Sequence, residues 1–337
     1  MGKYFTEIMG NTQTNFLSVF NCKWHEELSS HKMPYCKAAQ IMEGNRLRPI
    51  ILAWGYYTNT LNIDHEYIVD FAICIELIHK ASILLDDLID NDNARHGSKT
   101  FHVEYSKAEA ILYAIFLLNR SITIMYEKDS MENSLHTSIL LKVIDSMSKG
   151  GIKEVSSNGF FTMQNAIEII NLETTALIEN SFFLGYQLSN KTTSSIPQEI
   201  TNIGHLCGYC FQVLNDLEPF LAPEINKEYK GSINNDFEKS RKNIVISYLY
   251  GACTNDERNI LSSNNFDHVS HLIYKYKIID LILEDVKYKA VSIKKSMSFF
   301  KERNPIYYLD FAQFLDNMFS ICFQKCGLAF ENNFFCN

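Results

Sequence analysis

Proline and glycine are scarce, at six and fourteen in 337 residues. A β-rich chain needs such residues at its many turns, so their shortage argues for helices, as does the three-four recurrence of apolar residues in most long segments. Strand-type alternation is nearly missing; Glu104 to Ser106 is too short to count. No uninterrupted apolar run is long enough for a transmembrane segment, because Ile111 to Met125 is cut by Asn119 and Arg120. An export signal is missing too: Met1 to Phe20 is polar and broken by Gly10 and Asn11. Basic residues are in deficit, 31 Lys and Arg against 39 Asp and Glu, for a formal charge of -8. That balance excludes nucleic acid as the main partner. The nine cysteines are odd in number and scattered, which favours reduced thiols and a cytoplasmic protein. Cys207-Gly-Tyr-Cys210 has zinc or redox spacing but no second such pair, and it lies in a helix-like run. It reads as two small buried helix residues.

What is present is helix. Segments are predicted over about Cys36–Asn59, Asp64–Asp90, Ser106–Tyr126, Asn133–Lys149, Asn165–Ser189, Ile196–Phe220, Asp236–Gly251, Val269–Phe299 and Ile306–Cys326. No linker is long or biased enough to divide them, and no internal repeat appears. The expectation is all-α: a single helical domain over 1–337, a bundle around a central cavity. The phenylalanine-rich tail from Phe299 to Phe335 is expected to pack in the core or between subunits.

One stretch carries chemistry. Glu76-Leu-Ile-His79-Lys-Ala81-Ser82-Ile-Leu-Leu-Asp86-Asp87-Leu-Ile-Asp90 begins as an apolar helical run and ends in crowded carboxylates. Asp86 and Asp90 share one helix face a turn apart, with Asp87 beside them. Like charges so close repel one another and call for a cation. Oxygen ligands suit Mg2+, which prefers a few carboxylates plus substrate phosphates. Arg95, just downstream, is a candidate bidentate phosphate clamp. The stretch reads as a magnesium-bridged diphosphate trap.

This segment resembles the aspartate-rich first motif of the trans-isoprenyl diphosphate synthases, the polyprenyl synthetase family. His79 lies seven residues ahead of Asp86, Arg95-His96-Gly97 follows, and Lys99-Thr100-Phe101-His102 also fits. Gly44-Asn45-Arg46-Leu47-Arg48-Pro49 is similar to the family's N-terminal basic element. Leu172-Glu173-Thr174-Thr175-Ala176-Leu177, with Gly185, resembles its mid-chain helix. Gly208 to Glu218, containing Phe211-Gln212 and Asn215-Asp216, resembles the second aspartate-rich motif, and Asp236 to Asn243 the last basic element. The match runs over about residues 36–245.

The resemblance implies an isoprenoid-synthase-type bundle, usually a homodimer. It binds an allylic prenyl diphosphate through three Mg2+ ions held by both acidic motifs. Ionisation leaves an allylic cation, which isopentenyl diphosphate attacks. Carried onto this chain, Asp86, Asp87 and Asp90 are catalytic metal ligands, joined by Asp216 and Glu218. Arg48, His79, Arg95, Thr174, Gln212, Lys230 and Arg241 bind substrate; Ala81, Ser82 and Phe211 line the cavity. Ala81 and Ser82 are small, so a tail of fifteen or more carbons is expected to fit, although Phe116 offers an alternative floor.

The departures are specific. The N-terminal lysine is Asn45, the mid-chain lysine is Glu173, Asn215 and Pro219 replace acids of the second motif, and Arg241 replaces the closing lysine. Each charge-assisted contact is worth ~1.5–3 kcal/mol, so two lost basic residues weaken a second diphosphate by roughly a hundredfold or more. Three readings follow: an elongating synthase, a family member turned to cyclisation or another acceptor, and a non-catalytic subunit. His79 and Arg48 have little use without isopentenyl diphosphate, which favours the first.

Overall fold

The three-four periodicity resolves into helices along nearly the whole path. In a computed structural model of the chain, the described residues are 11–30, 39–60, 63–95, 97–129, 134–189, 196–221, 243–261 and 266–337. In order they form α1 (Asn11–Ser30), α2 (Ala39–Met42), α3 (Leu47–Tyr57) and α4 (His65–Asp90). A short hairpin, β1 (Ala94–Arg95) and β2 (Ser98–Lys99), leads into α5 (Phe101–Glu104), α6 (Lys107–Lys128), α7 (Leu135–Ser156) and α8 (Met163–Ile170). A π-helical turn (Asn171–Thr175) joins α8 to α9 (Ala176–Ser189), and α10 (Gln198–Leu221) follows. The remainder is α11 (Ile244–Ala252), α12 (Asn255–Leu261), α13 (Phe266–Lys275), α14 (Ile278–Arg303) and α15 (Pro305–Lys325). The fold is all-α, as the sequence predicts.

Capping explains where the site-bearing helix stops. Asp64 accepts from Tyr67 N–H at 3.0 Å and opens α4. Asn91 closes it in the left-handed region (φ 54°), its N–H returning to the Asp87 and Leu88 carbonyls. The carboxylates of Asp86 and Asp90 are thereby held in the last turn.

Helices α3 and α9 pack backbone to backbone. A Cβ on Gly55 would lie 2.0 Å from the Phe182 carbonyl oxygen, and one on Gly185 would lie 1.9 Å from that of Leu52. Around this crossing Trp54, Phe182, Phe300, Phe311 and Phe314 stack or tilt together, with Trp54 and Phe311 ring centres 5.3 Å apart. Phe319, Phe330, Phe334 and Phe335 form a second aromatic group under the C-terminus. These tail phenylalanines are core packing within the chain.

Several boundaries differ from the prediction. Helix α1, unforeseen because the N-terminus is polar, buries Phe16, Phe20 and Trp24. The predicted Cys36–Asn59 helix is interrupted at 43–46, where Gly44 (φ 142°) and Arg46 (φ 54°) make a tight turn. Helix α7 runs through Gly150-Gly151 instead of ending there, because Gly150 makes room: a Cβ would meet Glu173 Cγ at 2.5 Å. Lys277 (φ 50°) divides the predicted Val269–Phe299 helix into α13 and α14.

By length and composition α6 is apolar enough to cross a membrane, with a mean hydropathy of 1.4 over its best window. The polar residues expected to prevent this have inward partners. Arg120 reaches Glu27 of α1 at 2.5 and 3.0 Å, and Ser121 donates to the Cys74 carbonyl at 2.8 Å. Ala110, Ala114 and Leu117 are fully buried against the bundle, while Ile111, Leu112, Ile115 and Phe116 are exposed. Phe116 therefore faces outward and is no floor for a cavity inside this chain.

Candidate active site

The three aspartates at the end of α4 do not share one role. Asp87 is 1 % exposed, and both its oxygens are occupied: Gln40 Nε2 donates to Oδ2, while Arg95 donates to Oδ1 through Nε at 2.8 Å and a terminal nitrogen at 2.6 Å. In this structure Asp87 is engaged by two donors rather than left open, and Arg95, placed by β1, is turned toward Asp87. Asp86 and Asp90 are the exposed pair. Neighbouring groups crowd Asp86 although part of its side chain reaches solvent. Burial pushes its carboxyl up to about 7, Arg95 opposes the shift, and Asp90, Asp87 and Glu154 add to it.

The basic side is built two turns earlier on α4. Arg48, at the start of α3, donates to His79 Nε2 at 3.0 Å. A guanidinium has no acceptor, so His79 is neutral with its proton on Nδ1, which is buried without a hydrogen-bond partner. Burial first, then the charges of Arg48, Lys80, Arg95 and Arg46, hold His79 well below its ordinary range. Burial also lowers Arg48 to about 10, against the pull of Glu76 and Asp86, so it stays cationic. Asn45, where a lysine is expected, points its Oδ1 at Leu47 N–H (3.2 Å) at the head of α3.

The second acidic motif meets the first through the π-helical turn. Thr174 Oγ1 donates to Gln212 Oε1 at 2.9 Å, and Gln212 Nε2 donates to Asp216 Oδ1 at 2.7 Å. Asp216 Oδ2 accepts from Ile244 N–H at 3.2 Å, and its carbonyl accepts from Asn243 at 2.9 Å, tying α10 to the start of α11. Phe211, one residue before Gln212, is half-buried against the core. Glu218 requires a correction. Two residues beyond Asp216 it lies on another helix face, buried, with its charge acting on the Cys322 and Cys326 thiols of α15.

Glu173 belongs to the site instead. Burial, then Glu154, Asp86, Asp90 and Asp216, push its carboxyl up to about 9. It therefore holds its proton near neutrality until a cation arrives, which removes most of the repulsion expected of a glutamate in place of lysine. Both Glu154 and Gln40 escaped the sequence reading. The one signal was the Gly150-Gly151 pair inside a helical pattern, which clears space for Glu173. Ala81 is fully buried, and Ser82 turns its hydroxyl back to the His79 carbonyl at 2.9 Å. Lys230 and Arg241 lie outside the described residues, as does His96. Cys207 and Cys210 are buried in α10, and burial raises both thiols.

The polyprenyl synthetase family model matches residues 33–279. A geranylgeranyl diphosphate synthase of Saccharolobus solfataricus is 27% identical over 319 residues, covering 86% of this chain and 92% of that protein. A farnesyl diphosphate synthase of Haemophilus influenzae is 26% identical over 227 residues, 64% of this chain and 76% of that protein. Among solved structures, heptaprenyl diphosphate synthase of Staphylococcus aureus superposes with a TM-score of 0.76 at 20% identity, covering 90% of this chain and 98% of that one. A polyprenyl synthase of Caulobacter crescentus, crystallised with calcium and isoprenyl diphosphate, gives a TM-score of 0.74 at 18% identity, covering 93% and 97%.

Proposed function

The chain belongs to the polyprenyl synthetase family, and on that footing we propose how its cleft divides the work of a condensing prenyltransferase. It is a transferase of the prenyl diphosphate synthase type, which joins prenyl units. We assign the allylic diphosphate to the acidic side and isopentenyl diphosphate to the basic side. The carrying observation is that the two acidic motifs converge on one side chain: Glu173, packed against Gly150, feels Asp86 and Asp90 of the first and Asp216 of the second at once.

The donor set fits Mg2+. No group of three or more His, Cys, Asp or Glu among the described residues forms a ready metal cage. Mg2+ does not require one: it binds through one or two carboxylates and completes its shell with water and substrate phosphates. Asp86 and Asp90 from α4 and Asp216 from α10 are the residues that would hold it, and the raised Asp86 and Glu173 carboxyls accord with a site short of positive charge. Bound there, Mg2+ neutralises the leaving diphosphate and favours ionisation of the allylic carbon–oxygen bond. Asp87 holds Arg95 beside it. Arg48, steered by neutral His79, binds the second diphosphate, and the apolar wall at Ala81 keeps water from the cation.

We place the active form as a homodimer in a single-domain fold. The exposed stripe Ile111, Leu112, Ile115 and Phe116 on α6, at 43%, 67%, 57% and 38% exposure, is the surface a second copy would cover. A cytoplasmic location accords with free thiols at each described cysteine.

The test is a product assay with purified protein and Mg2+, given geranyl, farnesyl or geranylgeranyl diphosphate with and without isopentenyl diphosphate. A longer prenyl diphosphate formed only with isopentenyl diphosphate is expected. Terpene hydrocarbon or alcohol formed without it would overturn condensation in favour of cyclisation.

A further inference from the structure

The turn that leads into α3 rests on a buried ionic group. Glu76 is 1% exposed, Lys80 3% and Arg46 6%. Arg46 meets Glu76 Oε1 at 2.5 Å and also holds the Met42 carbonyl; Lys80 Nζ is 3.8 Å from the same Glu76 oxygen and donates to the Glu43 carbonyl. The guanidinium of Arg46 lies over the Trp24 ring at 5.1 Å, which closes the group from below. Gly44 lets the turn lie directly on it: a Cβ there would come within 3.2 Å of Lys80 Nζ and 3.5 Å of Arg46.

The charges around this turn do not balance. Arg46, Arg48, Lys80 and Arg95 all act on His79, which is neutral. Against these four cations stand three carboxylates: Asp87, already paired with Arg95; Glu76, shared by Arg46 and Lys80; and Asp86, whose charge reaches Arg48 without a direct ion pair. One carboxylate for two buried ammonium-type groups, beside an Arg48 whose hydrogen-bond partner carries no charge, leaves an excess of positive charge in a poorly solvated place. Such an excess is costly unless an anion arrives. Burial lowers Lys80 to about 8, with Glu76 pulling the other way, as expected where counter-anions are short.

We propose that Lys80 supplies, from beneath the Gly44–Asn45 turn, the charge for isopentenyl diphosphate binding that Asn45 does not provide. The inference rests on the functional reading above. Lys80 acts as a positioning residue: it fixes the Glu43 carbonyl and raises the local potential, while Arg48 makes the contact. Asn45 is meanwhile free to cap α3.

The test is calorimetric binding of isopentenyl diphosphate to the full-length protein in excess EDTA, where the acidic cleft contributes no metal site. Lys80→Gln keeps a donor for the Glu43 carbonyl but loses the charge, and is expected to weaken binding about tenfold, the scale of one charge-assisted contact. Lys80→Arg should stay within about threefold of the parent, and Asn45→Lys added to Lys80→Gln should recover most of the loss. Unchanged affinity in Lys80→Gln, or no recovery with Asn45→Lys, would overturn the proposal. Should Lys80→Gln fail to fold, Glu76→Gln tests the charge from the other side: tighter binding supports it and weaker binding in a folded protein refutes it. A parent that shows this binding pattern but never condenses substrates would sink the functional reading alone. A parent that condenses, with Lys80→Gln indifferent, would sink this inference alone.

Discussion

Arg48 and His79 form a donor–acceptor pair at 3.0 Å in which only one member is charged. Protonating His79 would place two cations nitrogen to nitrogen, so acid must break the contact. The folded state holds His79 well below its ordinary value, while the unfolded chain takes up its proton near pH 6.5. The unfolded state therefore binds more protons below that value, and the His79 contribution to stability is lost as pH drops from about 7 to 5. His79→Asn should remove part of that loss. His65 and His102, also lowered by burial, retain their own shares. Thermal melts across this range check it; parallel profiles for variant and parent would refute it.

Glu173 carries the opposite sign. Its folded value of about 9 stands above the ordinary 4.5, and Asp86 at about 7 stands above 3.8. Between those limits these two groups bind more protons in the folded state than in the unfolded chain, so their contribution to stability in EDTA is lost as pH rises from about 5 to 9. Glu173→Gln should flatten the slope, and Mg2+ with a diphosphate should suppress it in the parent. A Glu173→Gln melting profile as steep as the parent's would contradict the crowding of carboxylates around Glu173.

Asp86 and Asp87 should fail differently. Asp86→Ala is expected to abolish Mg2+-dependent turnover with little change in melting temperature. Asp87→Ala leaves the half-buried Arg95 without its partner and should also destabilise the fold by ~1–3 kcal/mol, the scale for losing a hydrogen bond to a charged group. Denaturant titration alongside turnover separates the two. Equal stability losses would show that Asp87 is not the buried anchor of Arg95.

Ala81 tests the cavity wall. It is fully buried behind the acidic turn, and Ala81→Phe should shorten the longest product, read by mass-detected chromatography. Unchanged product length would move the wall elsewhere.

The sequence made the all-helical class legible, because periodicity and sparse turn residues report local geometry. It also brought out Asp86, Asp90, Arg48 and His79, whose intervals along α3 and α4 are fixed by helix pitch. What it hid depends on direction. Asp86 and Asp87 are neighbours in the chain, yet Asp86 is exposed while Asp87 is buried against the half-buried Arg95. Glu218 looked like a metal ligand by proximity to Asp216, but the helix turns it toward α15. Glu173 looked like a lost lysine; only the packing of the π-helical turn on Gly150 reveals that it joins the carboxylates. Lys80 was silent because a lysine inside an apolar run gives no hint of a shared, buried partner.

The Gly55–Gly185 crossing has a mechanical consequence. Arg48 stands roughly 10 Å along α3 from this point, and Thr174 roughly 16 Å along the helix that continues into α9, at 1.5 Å per residue. The crossing is thus a fulcrum with Arg48 and Thr174, the residues proposed to bind substrate, on its near side. A swing of about 10° there displaces Thr174 by roughly 3 Å, the difference between reacting atoms in contact and reacting atoms apart. Two hydrogens in place of side chains set the gauge of the gap across which the carbon–carbon bond must form.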